Sequence, residues 1–307
     1  MSIISRLAPT PSGYLHIGNA LNFVLTWVLT RQAEGQLILR IDDLDEARAR
    51  EAYLADVFRT LEWLGITWDK GPFSVDEHLQ SYRQSQRSSR YLSAVESLMA
   101  TGTTFACICS RKQIMAAHPQ RLYTGTCYEK GWDYQKGATT LRVKTRHSNA
   151  IQWKDQWIGE MTLDLHQHMR DFVIRRKDGI PAYQVASLID DRDLGVNLIV
   201  RGNDLIESTA AQLFLAQRLD IDSFLQTSFY HHPLITDADG NKLSKSNGAL
   251  SLAHWRKHRS QQALYAFFSR LMGWTEEADS LDTFAQLWRK KSHLPSSFST
   301  PFSSDIN

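Results

Sequence analysis

The stretch Arg6-Leu7-Ala8-Pro9-Thr10-Pro11-Ser12-Gly13-Tyr14-Leu15-His16-Ile17-Gly18-Asn19 decides the fold. It opens in a short β-prone run, Ser2 to Ala8, and continues through Pro9, Pro11 and Gly13, the punctuation of a loop that must turn sharply. Beyond it, Leu21, Val24, Leu25, Val28 and Leu29 recur at helical spacing, so one face of a helix points at a core. Gln36 to Ile41 then reads as a buried strand. Strand, helix and strand in succession make a βαβ unit, whose parallel strands imply a right-handed crossover, a doubly wound sheet and a ligand crevice at the strand ends.

Outward from this unit, Leu54, Val57, Phe58, Leu61 and Leu64 mark a second amphipathic helix with Gly65 as its C-terminal stop. A more polar stretch follows and looks like an insertion. Parallel α/β character returns with Asn197 to Val200, a helix through Ala210 to Leu219 and a strand around Thr227 to Ile235. The expected fold class is therefore α/β: a split Rossmann-like parallel-sheet domain with an α+β insertion and a short helical subdomain. Residues 1–100 form its first half, 101–185 the insertion, 186–246 the second half and 247–292 the helical subdomain. The Ser- and Pro-rich residues 293–307 are expected to be a disordered tail.

Composition narrows the class. The chain has 307 residues, 35 basic against 33 acidic for a net charge of +2, and 42% hydrophobic residues. That describes a globular protein able to bury a core, and it excludes a polybasic nucleic-acid coat, a collagen-like chain and a disordered one. No apolar run approaches the roughly 18 residues that a membrane span needs, and the start lacks the pattern of a secretory signal. A cytoplasmic location without membrane contact is the expectation. The three cysteines, Cys107, Cys109 and Cys127, are too few for a disulfide framework, and their clustering points to a metal.

Two segments suit a polyphosphate. His16-Ile17-Gly18-Asn19 stands at a helix start, where glycine lets the backbone approach phosphate, helix N–H groups favour anions, and the His16 and Asn19 side chains can donate hydrogen bonds. Lys242-Leu243-Ser244-Lys245-Ser246 places two lysines three apart in a loop rich in Gly, Asn and Ser, able to neutralise a leaving pyrophosphate. Together, and in this order, they resemble the HIGH and KMSKS motifs of class I aminoacyl-tRNA synthetases. The segments RLAPTPSGYLH, LILRIDDLD, DFVIRRKDG, AYQVASLIDD and VRGNDLIES narrow the resemblance to the glutamyl branch of that class.

The resemblance implies roles. Arg6, Leu7, Ala8, Pro9 and Thr10 would cradle glutamate, with Arg6 holding a carboxylate; Asp42 would meet the α-amino group, and Tyr183 and Arg201 would complete the pocket. His16, Gly18, Asn19 and Lys245 would bind ATP, and His16, Asn19, Lys242 and Lys245 would assist catalysis, with Mg2+ accompanying ATP. Two positions depart from the family. Asp42 stands where Glu is common, so its carboxylate is one methylene shorter, and Asn19 stands where the motif ends in His, so it can position ATP but cannot carry charge. Asp190, Asp191 and Asp193 read as a turn and capping network and not as metal ligands.

Three thiolates need a fourth partner in a structural zinc site. Spacing alone favours His118, which lies between the cysteine clusters. The arrangement Cys-x-Cys followed by Tyr-x-x-x-Cys resembles instead the zinc knuckle of glutamyl-queuosine tRNA(Asp) synthetases, which implies one structural Zn2+ on Cys107, Cys109, Tyr123 and Cys127. Basic stripes at Arg83, Arg87 and Arg90, at Arg256 to Arg259, and at Arg289 to Lys291 could neutralise RNA phosphates without reading sequence, though such runs are commonly solvated faces. The same resemblance implies L-glutamate, ATP and tRNA(Asp) carrying queuosine as partners of a monomeric ligase. The stretch beyond Ser246 suits a short helical subdomain and is too short for a separate anticodon-binding domain. The rival readings are a truncated glutamyl-tRNA synthetase charging a tRNA 3′ end and a non-catalytic synthetase-like module that binds RNA or nucleotide.

Overall fold

Strand β1 (Ile4–Leu7) pairs in parallel with β2 (Gln36–Leu39), and the helix Ile17–Gln32 joins them. A computed structural model describes residues 2–118, 120, 122–236, 251–291 and 294–299. Three further short strands, β3 (Thr104–Cys107), β4 (Thr140–Val143) and β7 (Val173–Arg175), form a separate antiparallel sheet in the order β3-β4-β7. Between β4 and β7 the chain makes the hairpin β5 (Ile151–Asp155) and β6 (Gly159–Leu163). It then returns through β8 (Leu198–Gly202) and β9 (Ser228–His232).

The main sheet runs β2-β1-β8-β9-β5-β6, parallel except at the β5–β6 edge. The chain moves outward from β1 to β2 and comes back on the other side of β1 with β8, so β1 and β8 flank the strand-order reversal where α/β sheets bind ligands. The stretch 101–185 thus contributes to two sheets, because its β5–β6 hairpin extends the main sheet beside β9.

Alternation along the strands sends apolar side chains to both faces. Val200, with Leu7, Leu37 and Leu39, packs against the helix Ile17–Gln32, whereas its neighbour Ile199 packs against the helices Ser88–Ala100, Tyr183–Asp193 and Ile206–Arg218. The helices Leu252–His258, Gln261–Leu271 and Leu281–Lys290 add Tyr265, Phe268 and Phe284 to the first of these cores, so they continue it and do not build one of their own. Within the stretch expected as a disordered tail, β11 (Phe298–Ser299) pairs with β10 (Ile235–Thr236), and Phe298 is buried against Trp157 and His232. Apolar burial outweighs the local Ser- and Pro-rich composition there. No helix among the described residues is long and apolar enough to cross a membrane.

One buried carboxylate ties the sheet to the helix Tyr183–Asp193. Asp191 accepts from Arg6 Nε at 2.9 Å and from Arg40 Nη1 at 2.7 Å, and its second oxygen lies 3.9 Å from Arg201 Nη2. Its neighbour Asp190 accepts from Arg87 (2.8 Å), the Tyr91 hydroxyl (2.7 Å) and Gln84 (2.9 Å). These two aspartates are therefore interior charge partners in a helix, which corrects their reading as turn and capping residues. Burial alone would push the Asp191 carboxyl up, but Arg40, Arg6 and Arg201 together hold it below the usual range.

Replacing Asp191 by Asn should cost about 3–5 kcal/mol, because it leaves buried guanidiniums uncompensated; urea unfolding of the two proteins at neutral pH measures this. The folded-state carboxyl is depressed, so its contribution is complete above the unfolded value near pH 4 and is lost as pH falls through the lower, folded value. The Asn variant should accordingly lose part of the acid-limb dependence of stability.

Candidate active site

The ends of β1 and β8 open into a cavity of about 510 Å3. Arg6 reaches it from β1, and Ala8, Pro9 and Thr10 from the following loop. His16, Gly18 and Asn19 line it from the helix start, Asp42 from beyond β2, Tyr183 from the first turn of its helix, and Arg201 from β8. Leu7 is the exception, since its side chain is fully buried in the core on the sheet's face and does not line the cavity. Lys242 and Lys245 lie outside the described residues. The described chain stops at Thr236, next to the lining residue Ile235, and resumes at Ser251, which is bridged to His16.

The helix start shows why these motif residues are needed. His16 is the N-cap: its Nδ1 accepts the Asn19 backbone N–H at 3.3 Å, while Asn19 Oδ1 accepts the His16 N–H at 3.0 Å. Asn19 therefore spends its carbonyl on the cap and keeps its amide N–H donors for another use. A Cβ at position 18 would lie 3.1 Å from the His16 imidazole, so glycine is what allows the ring to fold back over the first turn.

Arg201 is the most informative side chain. It is 3% exposed; Nη1 donates to Thr209 Oγ1 at 2.9 Å, whereas Nε and Nη2 are buried without a hydrogen-bond partner. Thr209 in turn donates to His231 Nε2 at 2.9 Å, and His231 Nδ1 donates to Asp155 Oδ2 at 2.6 Å. Asp155 also accepts the backbone N–H groups of Trp157 and Ile158, each at 2.9 Å. Burial, opposed by Asp155, holds His231 below its ordinary value, so the ring is neutral with its proton on Nδ1. Burial likewise lowers Arg201, with Arg6 and Arg40 adding to the effect against Tyr183 and Asp191. A guanidinium with two buried donors left without hydrogen bonds has the chemistry to receive a carboxylate.

Asp42 is held differently from the expectation that it is open to an amine. Arg40 binds both of its oxygens, at 2.6 and 3.1 Å, and only the remaining lone pairs face the cavity. Burial, with Asp190 and Asp191 nearby, outweighs the Arg40 contact and pushes this carboxyl above its usual range. Sequence reasoning missed Arg40, the Thr209-His231-Asp155 chain, and the lining residues Asn22 and His232. Only the LILRIDD run offered a signal, for Arg40; the others come from separate elements.

The three thiols converge in the insertion, all within 4.8 Å of one another, with Cys109 and Cys127 Sγ 3.5 Å apart. Burial opposes a thiolate at Cys107, yet Arg142 lowers its value overall, and burial with the neighbouring sulfurs pushes Cys109 up to about 12. Such crowding of soft donors suits zinc. Tyr123 is buried beside them; its hydroxyl accepts the Cys127 N–H at 2.7 Å, and Arg142 lies 4.1 Å from its ring centroid. His118 is not part of the cluster: its Nδ1 accepts the Gln120 N–H at 3.2 Å.

The basic stripe at Arg83, Arg87 and Arg90 is largely spent internally, because Arg87 pairs with Asp190 and Arg90 with Asp193 at 2.7 Å. Arg256 is likewise taken by Asp56 and Thr60.

Comparison with known proteins agrees with this geometry. A family profile described as tRNA synthetases class I (E and Q), catalytic domain, matches residues 2–294. The chain is 39% identical over 243 residues to the glutamyl-Q tRNA(Asp) synthetase of Pseudomonas syringae pv. syringae, covering 79% of this chain and 77% of that one. It is 33% identical over 292 residues to the glutamate–tRNA ligase of an Anaeromyxobacter species, covering 92% of this chain but only 60% of that one. The fold is that of the glutamate-tRNA synthetase of Elizabethkingia anophelis, with a TM-score of 0.78 at 21% identity, over 100% of this chain and 69% of that one. With the HIGH-like helix start and the strand-end cleft in place, the chain belongs to the class I tRNA synthetases of the E and Q branch, matched through their catalytic domain.

Proposed function

We propose that this protein activates L-glutamate with ATP and transfers the glutamyl group to the queuosine base of tRNA(Asp). The observation that carries the glutamate assignment is Arg201, which lines the cleft with Arg6 and Tyr183 and has two buried donors without a hydrogen-bond partner. A substrate carboxylate there would gain charge-assisted hydrogen bonds in a dry site, where they are strongest. The higher identity to glutamyl-Q tRNA(Asp) synthetases, over most of their length, and the Cys-x-Cys and Tyr-x-x-x-Cys pattern favour queuosine over a tRNA 3′ end.

In the first step the glutamate α-carboxylate attacks the α-phosphorus of ATP, forming glutamyl-adenylate and expelling pyrophosphate. In the second, a hydroxyl of the acceptor attacks the mixed anhydride, its proton leaves and AMP is released. The chain's contribution is placement and charge stabilisation. Arg6, Thr10, Asp42, Tyr183 and Arg201 orient glutamate; His16, Gly18 and Asn19 hold ATP at the helix start; Lys242 and Lys245 follow the pyrophosphate, whose charge Mg2+ shares.

Zinc on Cys107, Cys109, Cys127 and Tyr123 would staple the insertion and take no part in the chemistry. Tyr123, buried against the thiols, is a better fourth partner than His118. Atomic absorption of the purified chain should find one zinc per molecule, and chelation should lower thermal stability.

Changing Thr209 to Val leaves Arg201 Nη1 and His231 Nε2 without partners. It should raise KM for glutamate in pyrophosphate exchange by about tenfold, from a buried hydrogen bond worth about 1–3 kcal/mol, while Thr209→Ser should restore it. Transfer of labelled glutamate should require queuosine-containing tRNA(Asp). Charging of queuosine-free tRNA(Glu) alone would instead establish the glutamyl-tRNA synthetase reading, and absence of glutamate-dependent pyrophosphate exchange would leave a binding module.

A further inference from the structure

His118, displaced from the metal cluster, lines a second cavity in the insertion, of about 170 Å3, that shares no residue with the cleft. Tyr123, Arg146, His166 and Arg170 line it too, and among the described residues no carboxylate does. The space is smaller than the pockets that hold drug-sized molecules, which start near 300 Å3.

The walls are built to bring these side chains together. Gly125 has φ +85°, and a Cβ there would fall 2.6 Å from Arg146 Nη2, so glycine both accepts the turn and makes room for the guanidinium. The Arg146 guanidinium is also held 4.6 Å from the Tyr128 ring centroid. Arg170 adopts φ +55°, a left-handed conformation that costs an arginine free energy. The nearby carboxylates stand behind the wall, and Asp171 keeps one buried oxygen, Oδ2, without a hydrogen-bond partner. Asp164 Oδ1 accepts the N–H groups of His166 (2.8 Å) and Gln167 (3.2 Å). Asp171 Oδ1 accepts the Thr145 N–H (2.9 Å) and hydroxyl (3.2 Å) and stays 4.0 Å from His166 Nδ1. Burial, and then Arg170 and Arg146 working against Asp171 and Asp164, hold His166 below its usual value. Among the described residues two guanidiniums line the space and the nearest carboxylate, Asp171, stands behind His166 at 4.0 Å, an arrangement that suits an anion.

We propose that this pocket binds one phosphate of an RNA backbone, with Arg146 and Arg170 supplying the permanent charge and His118, His166 and Thr124 completing the polar wall. The assignment to RNA rests on the tRNA-directed reading above; the anion pocket itself does not. A phosphate anchored here would fix the RNA against the thiol-bearing insertion without reading its sequence.

The test uses the full chain and two variants, Arg146→Gln and Arg170→Gly. Glycine suits the left-handed backbone at position 170, so Arg170→Gly removes charge without adding strain, and its melting temperature in phosphate-free buffer should not fall. Millimolar inorganic phosphate should raise the melting temperature of the parent protein and not that of Arg170→Gly. Transcripts of tRNA(Asp), followed by fluorescence anisotropy across a salt series, should bind each variant about tenfold more weakly, with a salt slope shallower by about 1. Unchanged RNA affinity and slope in both variants overturns the proposal. Loss of the phosphate response with RNA binding intact assigns the pocket to a free anion and overturns its RNA role. If the parent protein binds no tRNA, the tRNA-directed reading fails, whereas the phosphate titration still decides whether the anion pocket exists.

Discussion

A single carboxylate, Asp191, stands between the ends of three strands and holds the cleft in shape. Arg6 from β1, Arg40 from just beyond β2 and Arg201 from β8 all approach it, and none of these side chains is more than marginally exposed. Desolvating a guanidinium is expensive unless a counter-charge is close and well oriented. Asp42 supplies a second negative charge through Arg40, and Asp190 is committed largely to Arg87 and Tyr91. Of the three guanidiniums, Arg201 is the one least satisfied, because its Nε and Nη2 have no hydrogen-bond partner and Nη2 comes no nearer to Asp191 than 3.9 Å. The ion-pair arrangement that closes the sheet onto its helix is thus the same one that leaves Arg201 with unused donors.

Around that centre the protein relies on preorganisation. The capping box closes the first turn upon itself, so the His16 ring and the Asn19 amide are held in place by the helix start itself. Thr209, His231 and Asp155 pin one edge of Arg201, with the Asp155 end anchored by backbone donors of the β5–β6 turn. That turn belongs to the stretch expected as an insertion. The β5–β6 hairpin therefore gives the insertion a physical hold on Arg201, through hydrogen bonds that are buried from Arg201 to Asp155 and part-buried at the turn.

Much of this was legible in the sequence, for reasons that differ by residue. The β1–loop–helix unit was readable because turn chemistry, capping and helical periodicity are local, and the cleft residues Arg6, Thr10, His16 and Asn19 fall within one short segment. Tyr183 and Arg201 were reachable only by resemblance, since an isolated tyrosine or arginine carries no pattern. Leu7 was grouped with its neighbours, but alternation along β1 turns it into the core while Arg6 faces the cleft. Within the Ser- and Pro-rich stretch after 293, Phe298 finds a buried place that no local pattern announces.

The sequence by itself determined the βαβ unit, the phosphate-suited helix start, the clustering of thiols and the membership these imply, because each is written in residues close together along the chain. Tertiary structure alone decided which charges meet. Arg6 and Asp191 are 185 residues apart, and Asp155 and His231 are 76 apart. It also decided that His118 lines a cavity with Arg146, His166 and Arg170 and stands outside the thiol cluster, while Tyr123 lies between that cavity and the cysteines. The physical reason is that charge pairing and ligand choice depend on distance and desolvation in three dimensions, and these are fixed only when the two apolar faces of the sheet are buried.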